Sequence, residues 1–358
     1  MTKHHTFIYD QEFELESGQS LPEFRLRYTT FGKLNEAKDN IIWVCHAFTG
    51  SSDFTDWWKG MFGPGMLYDP ERHFVICANA IGGCYGSTGP LSVDPNKSRP
   101  YFHDFPSVTN RDIIRAFDKL RQHLGFEKLH TLIGCSMGGQ QALEWAVLNP
   151  GLSEHLIVIG SNAKHSPWGI AFNESQRMAI EQDPTWQLYT AHAGMEGMKV
   201  ARSIALISYR NYQTYDKTQY ETDNTKTDDF KASSYQRYQG LKLANRFNAF
   251  TYWTLSKAMD SQNVGRGRDG VLEALATVKA KALFIGMSSD LLFPMQEQHF
   301  LTKNVPGAVF EPIHSDFGHD GFLLETEQLT DKIRAFYWRG LRENRRRKPA
   351  ERLVTVGV

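Results

Sequence analysis

The sequence predicts an α/β architecture, a mostly parallel sheet with helices on its faces and a helical cap inserted between two of its strands. Three observations carry that expectation. Short apolar runs alternate with helix-like segments through the first half of the chain and again near its end. One of those runs turns abruptly into a helix at Gly134-Cys135-Ser136-Met137-Gly138. Between Trp168 and about Thr277 the alternation stops, then resumes, which marks an insertion rather than a second domain downstream.

In chain order, FIYDQEFELES and EFRLRYTTFG are joined through SGQSLP and read as an antiparallel hairpin at the sheet edge. NIIWVCHAFTG and HFVICANAIGG follow as strands, then RDIIRAFDKLRQHLG as a helix and HTLIGCS as a strand. Past Ser136, the residues Ala142, Leu143, Trp145, Ala146 and Leu148 recur at helical intervals until Pro150 stops the pattern. EHLIVIGSNA is the next strand. The inserted stretch is helical and rich in aromatics (NESQRMAIEQ, MEGMKVARSIALISYRNY, SSYQRYQGLKLANRFNAFTYWTLSKAMD), with TYDKTQYETDNTKTDDF as a polar loop. KALFIGMSSD and AVFEPIHS then bracket the helix PMQEQHFLTKNVP. These readings divide the chain into a core, residues 1–167 and 278–358, and an inserted lid, residues 168–277. No internal repeat is visible.

Composition narrows the function. At 358 residues the chain can bury a sizeable core, and 40 basic against 40 acidic side chains leave no global field for nucleic acid or an anionic membrane. A diffusible small substrate is the expectation. The opening MTKHHTFIYDQEFELES lacks a signal-peptide core and no run approaches the roughly 20 apolar residues of a membrane span, which predicts a cytoplasmic protein. Cys45, Cys77, Cys84 and Cys135 sit in or beside apolar runs without metal-ligand spacing and read as reduced packing thiols, so no metal is expected. The basic tail LRENRRRKPAERLVTVGV reads as a solvated helix end.

The chemistry starts at Ser136. In G-x-S-x-G the glycines let strand and helix approach while the serine is held in a strained conformation at the corner, with its hydroxyl exposed and the free N–H groups of the next helix beside it. Serine is a weak nucleophile until a histidine takes its proton and a carboxylate orients that histidine. With the order serine, acid, histidine, Asp290 at the end of the SSD strand and His319 in SDFGHDGF occupy the required loops at the C-terminal edge of the sheet. Asp316 and Asp320 flank the histidine as competing acids. The loop His46-Ala47-Phe48-Thr49-Gly50 suits an oxyanion site, with the backbone N–H groups of Phe48 and Met137 aimed at one oxygen and the Thr49 side chain facing substrate. GGCYGSTGP, residues 82–90, lacks the ending of a phosphate loop and reads as a turn near the site. Gly265-Arg266-Gly267-Arg268-Asp269-Gly270 spells G-x-G-x-x-G but follows a helix, so its arginines either meet phosphates or solvate the loop.

HAFTGSSDFTDWW, NAIGGCYGSTGPLSVDP, GCSMGGQQALEWA, NESQRMAIEQDP, AMDSQNVGRGR and GHDGFLLE together resemble the homoserine O-acetyltransferase family of α/β-hydrolase-fold acyltransferases, in order from about Phe7 to Phe336. The resemblance implies transfer of acetyl from acetyl-CoA, as co-substrate with no bound cofactor, to the hydroxyl of L-homoserine in methionine biosynthesis. It implies Ser136 as nucleophile, Asp290 and His319 as its partners, Asp320 as contact for the substrate ammonium and Arg210 of ISYR as clamp on the carboxylate. Arg111 and Asp260 fall in family strings as structural ion pairs, and a homodimer through the helical caps is implied as well. Two spellings depart from the family: Cys135 where Gly or Pro is usual, and Phe48, which narrows the acyl pocket, where Leu is usual. A succinyl donor, a serine acceptor, an esterase using water and a non-catalytic binding protein are the competing readings. The polar, zwitterion-matching pair Arg210 and Asp320 argues against the esterase, and the intact Ser136, Asp290 and His319 set argues against the binding protein.

Overall fold

The structure, a computed structural model, describes residues 2–347; the tail from residue 348 onward lies outside the described residues. Eight strands form the main sheet: β1 (Thr2–Tyr9), β2 (Phe24–Gly32), β3 (Ile41–Cys45), β4 (Phe74–Ala78), β5 (Leu129–Cys135), β6 (Ser153–Ile159), β7 (Lys281–Met287) and β8 (Val309–Ile313). Their order is β1-β2-β4-β3-β5-β6-β7-β8. β1 and β2 pair antiparallel, as do β2 and β4, and the rest are parallel. The expected edge hairpin is therefore present, with β1 beginning at Thr2 rather than Phe7. Its polar start, Lys3-His4-His5, pairs in register with β2, and an edge strand exposed on one face needs no apolar alternation there.

Helices cover both faces, so the central strands are apolar throughout: all of Ile41–Cys45 is buried. Alternate residues feed two cores. Trp43, Leu132, Leu156 and Phe284 pack with Phe117 of helix α1 (Asn110–His123) and Trp145 of α2 (Met137–Leu148). Ile42, Val44, Ile133, Ile157 and Ile285 pack on the other face with Trp58, Phe322 and Ile333 of α9 (Thr326–Arg347).

Between Lys164 and Asn263 lie five helices: α3 (Pro167–Glu181), α4 (Met195–Tyr209), α5 (Tyr212–Gln219), α6 (Lys231–Ala244) and α7 (Ala249–Asp260). The chain leaves and returns at one place, where Lys164 bridges Asn263 and the N–H of Val264 donates to Ala163. α8 (Met295–Asn304) then packs between β7 and β8. One expectation is corrected here. The polar loop read from Thr214 to Phe230 opens as helix α5, because Asn211 caps it through Thr214 N (2.8 Å) and Thr214 Oγ1 donates to the carbonyl of Asp316. That long-range contact is invisible to local polarity.

Candidate active site

Ser136 sits between β5 and α2 with φ 56° and ψ −126°, a backbone conformation costing on the order of 1–3 kcal/mol that the surroundings must impose. The glycines around it show how. A β-carbon at Gly134 would lie 2.0 Å from the carbonyl oxygen of Gly138, one at Gly138 would lie 2.1 Å from that of Cys45, and one at Gly139 would meet Ser161 at 2.7 Å. Strand, turn and helix touch backbone to backbone, and only glycine permits it. Cys135 points into the core, where burial pushes its thiol far up; it is a packing residue, as its place in the motif suggested.

Asp290, just past the end of β7, is fully buried at its side chain and used at both oxygens. Its Oδ1 accepts from the backbone N–H of Leu292 and of Phe293, each at 2.8 Å, and its Oδ2 accepts from His319 Nδ1 at 2.7 Å. The His319 ring is packed by Phe293, Phe322 and Tyr209, at centroid distances of 5.2, 5.3 and 5.9 Å. Burial pushes this imidazole down, yet Asp290, by charge and hydrogen bond, and then Asp320 outweigh it, so His319 is held above the ordinary histidine value. Its Nε2 is buried and has no hydrogen-bond partner among the described residues.

Ser136 and His319 line one cavity of about 260 Å³ with Ala47, Phe48, Thr49, Arg210 and Asp320. Of the residues read from the sequence, then, all but Asp290 and Met137 face this space directly: Asp290 acts through His319, and Met137 is the first helical residue beside Ser136. Among the described residues no hydrogen bond uses the backbone N–H of Phe48 or Met137. His46 holds the loop of Phe48, its Nδ1 donating to Ala47 O and its Nε2 accepting from Ala80 N. Phe48 itself packs edge-on against Tyr252 (4.8 Å). Arg210, at the end of α4, is buried at its Nε and ion-paired there with Asp320 Oδ2 at 3.1 Å. Gly318 brings the histidine loop against α4: a β-carbon there would lie 2.9 Å from the carbonyl oxygen of Tyr209.

Several neighbours escaped the sequence reading. Arg202 on α4, Lys242 on α6 and Arg246 just beyond it line the same cavity, and Arg246 donates to Thr49 O (2.7 Å) and to Tyr85 OH (2.5 Å). Gly160, at the end of β6 with φ 53°, was passed over too; a β-carbon there would touch Met287 at 2.6 Å and both Asp290 and His319 at 3.4 Å. No short motif signals any of these, since each depends on where distant elements meet.

With this geometry in place, comparison with known proteins is informative. Residues 40–326 match the alpha/beta hydrolase fold family. A homoserine O-acetyltransferase of Cyclobacterium marinum is 53% identical over 331 residues, covering 92% of this chain and 94% of that protein. The chain belongs to the homoserine O-acetyltransferase family. Among solved structures, a homoserine O-acetyltransferase from Bacillus anthracis superposes with a TM-score of 0.86 at 25% identity, covering 94% of this chain and 97% of that one. An acetylester hydrolase from Corynebacterium glutamicum also superposes, with a TM-score of 0.83 at 23% identity over 94% of this chain and 96% of that one, a likeness of fold alone.

The remaining family strings resolve into structure. Arg111 bonds Glu16 and Glu144, both at 2.7 Å, and Arg266 and Arg268 join the same network through Glu16 (2.6 Å) and Glu144 (2.7 Å). Both arginines of the G-x-G-x-x-G stretch are thus engaged by carboxylates. Asp260 pairs with Arg177 (2.6 Å). Asp316, the competing acid, pairs with Lys217 on the surface instead. The Gly82–Pro90 stretch is a turn at the site, where Tyr85 reaches Arg246. No helix among the described residues is long and apolar enough to cross a membrane.

Proposed function

We propose that the protein transfers the acetyl group of acetyl-CoA to the hydroxyl of L-homoserine through an acetyl-Ser136 intermediate. Ser136 Oγ attacks the thioester carbonyl while His319 Nε2 takes its proton; the oxyanion is stabilised by the N–H groups of Phe48 and Met137; His319 returns the proton to the departing CoA sulfur. The homoserine hydroxyl then gives its proton to His319 and attacks the acyl-serine, and release of O-acetylhomoserine restores the serine hydroxyl. The observation that carries the reading is the set of buried polar groups in one cavity, His319 Nε2 without a hydrogen-bond partner beside the ion pair of Arg210 and Asp320. A zwitterion satisfies such a site: its carboxylate takes the guanidinium and its ammonium takes Asp320, leaving the hydroxyl for the base.

The donor reading draws support from the cations. Arg202, Arg210, Lys242 and Arg246 line a cavity whose one carboxylate is Asp320, a balance that suits the phosphates of acetyl-CoA. Phe48 against Tyr252 restricts the acyl side, which favours acetyl over succinyl. No bound cofactor is required. The same reading makes the protein a cytoplasmic homodimer joined through its lid, supported by exposed Val200 and Ile207 on α4 and Tyr238 and Leu241 on α6.

Two measurements test this. Steady-state release of CoA from acetyl-CoA and from succinyl-CoA, each with homoserine and with serine, is expected to be fastest for the acetyl and homoserine pair. Mass spectrometry after quenching with acetyl-CoA alone is expected to find one acetyl group on the peptide holding Ser136, lost in Ser136→Ala. A label on another peptide, or CoA release that does not depend on an amino-acid acceptor, overturns the proposal in favour of another nucleophile or of a hydrolase.

A further inference from the structure

We propose that His130, Glu154 and His155 form a binding site for a divalent transition-metal ion, zinc being the best match, at the end of the sheet opposite Ser136. His130 lies near the start of β5 and the other two near the start of β6, so a distance of roughly 17–20 Å along the strand, at about 3.3 Å per residue, separates them from Ser136. One ligand atom from each of the three residues lies within 4.8 Å of the other two. Zinc holds nitrogen and oxygen ligands at about 2.0–2.2 Å, so closure requires a modest swing, which the exposed Glu154 side chain can make.

The surroundings of the rings are those a metal site needs. His155 Nδ1 is engaged by the carbonyl oxygen of His130 (3.1 Å) and His130 Nδ1 by Thr131 Oγ1 (2.9 Å), which fixes both rings and leaves each Nε2 for a ligand bond. The chain of contacts continues from Thr131 Oγ1 to Tyr337 OH (2.8 Å) and on to Tyr68 OH (3.0 Å). Tyr337 also packs on both imidazoles. Burial keeps both histidines in the neutral form that binds metal, pushing His130 down to about 4 and His155 below its ordinary value. Lys281 Nζ, 3.5 Å from Glu154, is the competitor the metal displaces, and a pair that exposed is weak. Two imidazoles and a carboxylate with water completing the shell favour zinc over magnesium or calcium. Bound there, the ion would cross-link β5 to β6 and stabilise the folded chain by mass action. No short spacing announces the site, because the two histidines stand 25 residues apart and meet only through the register that sets His155 beside Thr131.

The test is zinc binding by the chelator-stripped protein, read as bound zinc per chain after equilibrium dialysis against zinc chloride and as the accompanying rise in Tm. Wild type is expected to take one zinc per chain and to gain thermal stability. His130→Gln is expected to lose both, Glu154→Gln to weaken binding by about tenfold or more, and His319→Gln, which removes the active-site histidine, to keep the site. Zinc-free His130→Gln and Glu154→Gln are expected to transfer acetyl at the wild-type rate. Should His130→Gln fold poorly, the exposed Glu154→Gln still decides. Wild type binding no zinc, undiminished binding in Glu154→Gln, or loss of binding in His319→Gln overturns the proposal.

Discussion

Ser136, Asp290 and His319 are placed by backbone: a glycine-lined corner, two N–H bonds to Asp290 and a loop pressed against α4. Across the same cavity, Arg202, Arg210, Lys242 and Arg246 are long, flexible side chains carried by lid helices and the ends that follow them. The sheet edge holds the reacting groups through backbone contacts, and the lid supplies charge on long side chains. On the proposed function, chemistry and recognition divide between these two parts of the chain, so substitutions on the two sides are expected to fail in different half-reactions.

The largest effect belongs to the sheet edge. Asp290→Asn removes the acceptor that fixes the His319 tautomer and is expected to lower acetylation of Ser136 on the order of 10⁴-fold, with Asp316→Asn nearly silent because its carboxylate sits with Lys217 on the surface. Stopped-flow release of CoA reads this directly. The reverse ranking would transfer the role to Asp316 and break the division at its centre.

What was legible in the sequence follows the same division. Ser136, Asp290 and His319 could be read because each stands in a short string whose local geometry forces its position: a glycine elbow, a strand end, a tight loop. Strands of the parallel sheet were legible for a related reason, since burial on both faces writes continuous apolar runs. Lid side chains had no such signature. Arg202, Lys242 and Arg246 are ordinary cations on or just past helices until the fold brings them to the cavity of the serine, and helix α5 looked like loop because its support comes from Asp316 across the chain. Gly160 was missed as well, one glycine among many until β7 brings Met287 and Asp290 beside it.

Gly160 gives the next test. Alanine there meets a positive φ and three close neighbours, so Gly160→Ala is expected to displace the Asp290 and His319 pair and reduce acetylation by roughly 10²-fold, the scale of a 1 Å misplacement. The lost rate should appear in kcat for acetylation, with the KM for acetyl-CoA little changed. A rise in KM alone would place Gly160 in substrate binding and blur the boundary between edge and lid.

On the lid side, Arg210→Lys keeps the charge and loses the fork. Its cost is expected to be about tenfold, the equivalent of about 1.4 kcal/mol, and to fall on kcat/KM for homoserine while acetylation proceeds almost normally. Water then competes better for the acyl-serine, and CoA release outpaces O-acetylhomoserine formation. Slowed acetylation with unchanged homoserine saturation would assign Arg210 to the donor instead.

The smallest expected effect lies where the two regions meet. Asp320 faces Arg210 and also helps hold His319 above its ordinary value, after the larger upward influence of Asp290 and against the downward pull of burial. The base works only when neutral, so acetylation is lost as pH falls through the His319 pKa. Asp320→Asn removes one carboxylate that favours the imidazolium and leaves Arg210 without its counter-ion, and both changes lower that pKa. The acidic limb of kcat/KM for acetyl-CoA is therefore expected to move to lower pH, by less than Asp290 contributes, while the KM for homoserine rises separately from loss of the ammonium contact. Reading CoA release with no homoserine present isolates the first of these. A limb that stays in place, or moves to higher pH, would mean that Asp320 serves the acceptor alone and that recognition and base are electrostatically independent.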